Sequence, residues 1–292
     1  DTHKTMISVI IPNYNGVELL KKNLRHNLNM FQKAGVTEVI IVDDCSVDDS
    51  VKYLKLEHPD VIVIRNTINS GFSVTCNIGA KKASKPYLLF LNTDMKFQSF
   101  DVTISLQYLN QLDIFSVTPK VLRQIENEEY IESITLGYYL GGWLTTENAP
   151  LLSSSNMILE QQNILWGHGG CMFVNREKFN YLNGFDTLFS PFYCEDLDLS
   201  YRAWQRGWKS IYTESLTVEH LHQGTIGSHF RKSQIHNIRL KHMYLFIWKN
   251  INDMSKLVSH FITLIIKLLT FQINDIRAIF NATLSLPAVI QY

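Results

Sequence analysis

Four short groups of side chains in this sequence have the types and spacing to do chemistry. Asp43 and Asp44 end one apolar run, and Asn92-Thr93-Asp94 ends another. Glu195 and Asp196 are adjacent with Asp198 close behind, and His220 and His222 are separated by one residue. Hard divalent cations prefer carboxylate oxygen, and imidazole can join such a site. A carboxylate with an ordinary pKa near ~3.9 is ionised at neutral pH and can take a proton from a hydroxyl. Each group also has a plain structural role open to it. An Asp after a strand commonly caps a helix or forms a turn, an isolated Asn-x-Asp is an ordinary turn, and a lone His is more often a hydrogen-bonding partner than a ligand. Three acids at 195, 196 and 198 exceed what one helix cap needs.

Apolar periodicity predicts the elements that position these residues. Ile7–Ile11 is a β-branched run ending at Pro12, which suits a strand buried on both faces. Leu20, Leu24, Leu28 and Phe31 recur at helical spacing up to Gly35. Further strands are predicted at 39–42, 61–64 and 87–91, with helices at 48–57 and 72–83 between them. This alternation implies right-handed βαβ units and a mostly parallel sheet. In such sheets ligands bind beyond the carboxyl ends of the strands. Asn13 and Asn15, Asp43 and Asp44, and Asn92 and Asp94 all follow strand ends and can face one crevice. The segment 121–165, with the polar runs Gln124–Glu129 and Leu151–Asn156, reads as a surface excursion. A strand resumes at 172–174, and a helix begins near Asp196 with Leu197, Tyr201 and Trp204 as its apolar stripe and Gly207 at its end.

Composition narrows the function classes. The 292 residues are 46% hydrophobic and 18% charged, which fits a large core and excludes a mostly disordered chain. Net charge is +0, which gives no support to nucleic-acid binding. The four cysteines are far apart and form no CxxC pair, so a reducing, cytoplasmic setting is expected. The first strand is followed by Asn-Tyr-Asn-Gly rather than GxGxxG, and GxxxxGK[ST] is absent; both argue against nicotinamide enzymes and P-loop kinases. No signal peptide is read at the start.

Charge is unevenly distributed. Residues 229–292 carry eight basic and two acidic residues, net +6, leaving the remainder at −6. Two units are therefore expected, 1–228 as the chemical body and 229–292 as a basic, amphipathic helical tail. Within the tail, Leu257–Phe271 is too short and too often interrupted to span a bilayer of ~20 apolar residues. It and the preceding 236–250 segment match helices that lie in a membrane interface, with core packing as the competing reading.

The strings Ser8–Asn15 (SVIIPNYN), Val42–Ser46 (VDDCS), Asn69–Gly71 with Asn77–Gly79, and Leu91–Asp94 (LNTD) occur in order. Gly184-Phe-Asp186, Cys194–Asp198 (CEDLD), Arg202 and Gly207-Trp208 follow. Together, over residues 6–224, they resemble the family 2 glycosyltransferases of the GT-A fold, nearest to bacterial rhamnosyltransferase-like enzymes of surface-polysaccharide synthesis. The resemblance implies an α/β fold with a mostly parallel Rossmann-like sheet flanked by helices and a helical C-terminal tail. It implies an inverting, hexosyltransferase-type reaction that moves a sugar from a nucleotide-diphosphate sugar to a hydroxyl of a glycan or lipid-linked acceptor. Pro12, Tyr14, Asn15, Asp44, Gly71, Asn77 and Thr93 would then face the donor, with Asp44 on the nucleobase. Asp94 would ligate Mg²⁺ or Mn²⁺, helped by His220, with His222 as its rival. Asn92 stands where the family's DxD-type motif has Asp, which lowers the charge there. Asp196 would be the catalytic base, with Glu195 beside it. A peripheral position on the inner face of the cell membrane would bring the enzyme to lipid-linked acceptors. The rivals are a nucleotidyltransferase, which lacks its expected lysine-bearing glycine loop here, and a catalytically silent scaffold of a polysaccharide assembly complex.

Overall fold

The computed structural model describes residues 6–148, 151–152, 161–222, 224, 227 and 229–286. The start of the chain, most of the polar run at 151–156, and Gln223 beside the His pair lie outside the described residues. Strand β1 (Ile7–Asn13) is almost wholly buried, as its β-branched run predicts. It pairs in parallel with β2 (Glu38–Asp43) on one side and β4 (Tyr87–Leu91) on the other, and β2 pairs with β3 (Ile62–Arg65). Three strand ends therefore lie side by side, at Asn13, Asp43 and Leu91.

The crossovers are helical. The first runs through α1 (Val17–Leu19), a π turn (Leu20–Leu24) and α2 (Arg25–Lys33), then stops at Gly35. The others are α3 (Ser50–Glu57) and α4 (Phe72–Lys82). Gly71 precedes α4 with φ +86°, and a Cβ there would sit 2.9 Å from the Pro191 backbone, so both conformation and space exclude a larger residue.

Beyond β4 the sheet changes character. After β5 (Met95–Phe97) and α5 (Thr103–Leu109) comes β6 (Ile114–Ile125), which turns back antiparallel into β7 (Glu128–Ile131). A separate hairpin follows, β8 (Thr135–Leu140) with β9 (Trp143–Asn148), then the short β10 (Leu151–Leu152) and β11 (Gln161–Ile164). The 121–165 stretch is thus strand-rich where a surface excursion was expected. Glu128 and Glu129 are exposed on β7, and Leu136, Tyr138 and Leu140 are exposed on β8, which hides the alternation of a half-buried strand. Strand β12 (Cys171–Asn175) runs antiparallel between β4 and β6. After α6 (Arg176–Tyr181) and α7 (Glu195–Trp204), β13 (Lys209–His220) pairs in parallel with β6 and antiparallel with β5 and β11. Among the described residues the result is an 11-stranded mixed sheet. Apolar clusters lie on both of its faces; one is built on Val9, Ile41, Leu89 and Phe173, the other on Ile10, Val42, Phe90 and Val174.

Residues 229–286 add α8 (Lys232–Asn250), α9 (Met254–Leu269) and α10 (Ile273–Thr283). The second half of α8 is core: Met243, Tyr244, Leu245, Phe246 and Ile247 are buried with Leu197 and Phe189 of the body. Lys249 and Asn250 reach Asp198 (Nζ at 2.8 Å, Nδ2 at 2.8 Å), and Arg202 Nε donates to the same carboxylate at 2.7 Å. Helix α9 is tied to the β8–β9 hairpin through His260, whose Nδ1 lies 2.6 Å from the Gly142 carbonyl oxygen. Among the described residues no helix is long and apolar enough to cross a membrane.

Candidate active site

The acids at the strand ends are locked by hydrogen bonds. Asn13 Nδ2 donates to Asp43 Oδ1 at 2.8 Å, and the Asp44 amide donates to the Asn13 carbonyl at 2.7 Å. Asp44 is buried and accepts from the Gly71 amide (2.8 Å), the Ser70 amide (2.9 Å) and Asn66 Nδ2 (2.8 Å). It therefore ties the end of β2 to the start of α4. Pro12 continues β1 opposite Val42. Asn15 takes a left-handed conformation (φ 47°), and its side-chain oxygen accepts from the Val47 amide at 2.8 Å. Its Nδ2 lies 3.5 Å from His229 Nε2, and the Tyr14 ring packs 5.6 Å from that imidazole. Asn77 points elsewhere: its amide is bonded both ways to the Phe185 backbone, at 2.7 and 2.9 Å. The Thr93 carbonyl accepts from Asn23 Nδ2 at 2.9 Å.

Next to these ends lies a cluster of two carboxylates and three imidazoles. Asp94 is buried, and its Oδ2 lies 3.2 Å from His220 Nε2. The other ring nitrogen of His220, Nδ1, bonds to Oε1 of buried Glu132. His168 Nε2 is 3.4 Å from the same Oε1, and His222 Nε2 is 2.9 Å from Oε2. Of the two rival histidines, His220 reaches Asp94, whereas His222 stacks on the His220 ring and bonds to Glu132. Burial disfavours the charge on Asp94, but the hydrogen bond and charge of His220 outweigh it and hold the carboxyl below its usual range. Burial likewise works against Glu132, and bonds to its three histidines hold it well below the ordinary value. Burial would depress His220, yet Asp94 and Glu132 together raise it to about 9.

A second pair of acids stands across a glycine loop. The loop runs through His168, Gly169 and Gly170 before β12. The Gly169 amide donates to Asp196 Oδ2 at 3.1 Å, and the Gly170 carbonyl accepts from the Asn92 amide at 2.8 Å. The loop thus links the Asn92-Thr93-Asp94 turn to the start of α7. A Cβ on Gly169 would lie 3.0 Å from Asp196 Oδ2, so a side chain here would crowd that carboxylate. Asp196 is partly exposed, and its Oδ1 accepts from the Leu197 amide at 2.8 Å. Burial raises its pKa; the Leu197 amide, His168 and the Gly169 amide only partly offset this. Glu195 is buried, and its Oε2 has no hydrogen-bond partner. Burial and the Asp196 charge push Glu195 well above the ordinary value. Asp198 has a different task, because Arg202, Lys249 and Asn250 surround its carboxylate and make it the anchor between α7 and α8.

Sequence reasoning missed Glu132 and His168. Glu132, His168 and His220 are the group among the described residues whose ligand atoms lie within 4.8 Å of one another. The donor set, carboxylate with imidazole, fits a divalent cation. The signal for Glu132 was a single acid beside apolar Ile131 and Ile134, and for His168 its place in Gly167-His-Gly-Gly. Cys76, Cys171 and Cys194 are buried, and burial raises all three thiols, so none is poised as a nucleophile.

Comparison with known proteins bears on the fold and the family. The chain is 26% identical over 199 residues to an uncharacterised glycosyltransferase of Rickettsia felis, a match covering 64% of this chain and 33% of that protein. It is 36% identical over 92 residues to the poly(ribitol-phosphate) beta-glucosyltransferase of Bacillus spizizenii, covering 30% of this chain and 14% of that protein. The matched part spans about a third or less of these relatives' length. Among solved structures, GalNAc-T7 with UDP, GalNAc and Mn²⁺ superposes with a TM-score of 0.67 at 18% identity, covering 85% of this chain and 48% of that one. The mannosyltransferase PcManGT from Pyrobaculum calidifontis, in complex with GDP-Man and Mn²⁺, gives a TM-score of 0.59 at 16% identity, covering 98% and 81%. The fold is that of GT-A glycosyltransferases. The model of the family "Glycosyl transferase family 2" matches residues 8–182, and the chain belongs to that family.

Proposed function

We propose that this chain is an inverting, metal-dependent glycosyltransferase acting in cell-surface polysaccharide synthesis. It takes a sugar from a nucleotide-diphosphate sugar and delivers it to a hydroxyl of a glycan or lipid-linked acceptor. The observation that carries this reading is the glycine loop whose amide holds Asp196 while its carbonyl holds the Asn92-Thr93-Asp94 turn. One loop therefore links the turn that carries Asp94 to the pair that carries Asp196, as a shared donor and acceptor site would require.

Asp94 and His220 would hold the cation, and the imidazole in the set favours Mn²⁺ over Mg²⁺. When bound, the ion would offset the charge that collects on the leaving diphosphate. The residues of the chain do the rest. Asp44, with Tyr14 and Asn15 nearby, borders the end of the crevice assigned to the nucleobase. Asp196 accepts the proton of the acceptor hydroxyl as that oxygen bonds to the anomeric carbon. The bond from that carbon to the diphosphate oxygen breaks, and its electron pair leaves with the diphosphate. One displacement from the opposite face inverts the centre. A raised pKa makes Asp196 a stronger base, so long as it stays below the working pH. Asn77, bound to Phe185, supports the α4 side of the crevice. Thermal-shift measurements with UDP, GDP and dTDP in the presence of Mn²⁺ test the donor site, because ligands that bind the native state raise its melting temperature. At least one nucleotide should stabilise the wild type and fail to stabilise Asp94→Ala; no response to any of them would overturn the assignment.

The membrane reading is supported by α9 and α10 rather than by α8, whose apolar residues are spent on the core. Val258, Phe261, Ile262, Ile265, Ile266 and Leu269 are exposed along α9, with Phe280 and Leu284 on and just after α10. Residues 254–286 contain Lys256, Lys267 and Arg277 and a single acid, Asp275, which Lys267 and Tyr244 bind. An apolar face with positive flanks matches the inner, anionic lipid surface, where the enzyme would sit peripherally on the cytoplasmic side. Flotation with phosphatidylglycerol vesicles should recover the full chain and lose the Phe261→Ser/Ile265→Ser/Leu269→Ser variant; equal recovery would end this reading.

A further inference from the structure

We propose that Glu132 is a positioning residue that aims His220 at the cation site, an inference that rests on the reading of Asp94 and His220 as ligands. Glu132 lies between β7 and β8, and its place is set from β6. Its amide donates to the Val121 carbonyl at 3.0 Å, while the Val121 amide donates to Ser133 Oγ at 3.0 Å. The carboxylate is therefore anchored by backbone on an element remote in sequence from both Asp94 and His220. One oxygen bonds to His220 Nδ1 and the other to His222 Nε2, while His168 closes on the first.

An imidazole can present a lone pair at only one nitrogen when the other carries a proton. A carboxylate on Nδ1 keeps the proton there, which leaves Nε2 as the free donor atom and raises its basicity. Nε2 is the nitrogen that faces Asp94 Oδ2 at 3.2 Å. The order carboxylate, imidazole, cation site is therefore already in place, with Glu132 at its outer end. His222 and His168 fill the remaining acceptor positions of Glu132, which keeps its carboxylate from rotating away from His220.

The test is Mn²⁺ binding by the full chain, followed through the electron paramagnetic resonance signal of free Mn²⁺ with UDP, GDP and dTDP each present in turn. Glu132→Gln should weaken Mn²⁺ binding about 10–100-fold, and excess Mn²⁺ should restore binding. Glu132→Asp, which keeps the charge but shortens the reach, should fall between Glu132→Gln and the wild type, and its melting curve separates a binding loss from unfolding. Unchanged Mn²⁺ affinity in a folded Glu132→Gln would overturn the proposal. So would a loss far beyond about 100-fold, because Glu132 would then act as a direct ligand rather than a support behind His220. A wild-type chain that takes up no Mn²⁺ under any of these conditions would instead sink the cation reading on which the proposal rests.

Discussion

The two acid groups flanking the glycine loop are built in opposite ways. Asp94 and Glu132 are buried among three imidazoles, and their carboxyls are held below the ordinary range. Glu195 and Asp196 stand at the start of α7, where burial pushes both up. Distance along the chain does not explain this, since each group borders the same loop. The partners do. On Asp94 and Glu132 the imidazole bonds and charge outweigh burial, whereas on Asp196 the Leu197 and Gly169 amides and the His168 charge offset it only in part, and on Glu195 burial is reinforced by the Asp196 charge. Under the proposed function, the first group suits ion holding and the second proton transfer.

The sharpest way to break this division is at Asp196. Asp196→Asn removes the proton acceptor but keeps the shape, and should lower the rate of transfer by a factor of order 10² or more. Donor binding, measured by thermal shift, should persist. Near-normal turnover would move the base elsewhere.

The histidine cluster makes a second prediction, on stability in the absence of metal. His220 is raised from 6.5 to about 9. Its contribution is complete below the unfolded value and is lost as pH climbs through the folded one. Asp94 and Glu132 are lowered, so their share is present above the unfolded carboxylate range and lost as pH falls. In chelator-treated protein the melting temperature should therefore fall by a few degrees as pH rises from about 6.5 to about 9. His220→Gln should flatten that part of the curve, and an equally steep fall in the variant would remove His220 as the cause.

The smallest effect is expected at His222, which bonds the outer oxygen of Glu132 and makes no contact with the Asp94 carboxylate. His222→Asn should change Mn²⁺ affinity by less than about fivefold, below the effect of removing the supporting carboxylate itself. A larger loss than in Glu132→Gln would reverse their order.

Much of this arrangement could be read in the sequence because its signals are local. Strands β1, β2 and β4 are short, largely buried runs and β3 a half-buried apolar one, and Asp44, Asp94 and Asp196 lie within two or three residues of an element end, where a motif fixes both type and place. Glu132 escaped because its role depends on topology. It becomes a neighbour of His220 only when β6 pairs in parallel with β13, which strand patterning alone does not specify. Exposed residues of β7 and β8 on either side of it also blurred the period-2 pattern. The tail shows the same limit from another side. The sequence makes α9 the more apolar of the two helices, yet the second half of α8 is core and most of α9 is surface. Lys249 and Asn250 on Asp198 decide that difference, and the contact is visible only in three dimensions.

The division of labour between the two acid groups is tested most directly by Mn²⁺ affinity, measured side by side on Asp94→Asn and Asp196→Asn with UDP, GDP and dTDP each present in turn. Asp94→Asn should bind Mn²⁺ at least tenfold more weakly than the wild type, while Asp196→Asn should match it within about twofold. Equal losses in the two variants, or a loss confined to Asp196→Asn, would contradict the account.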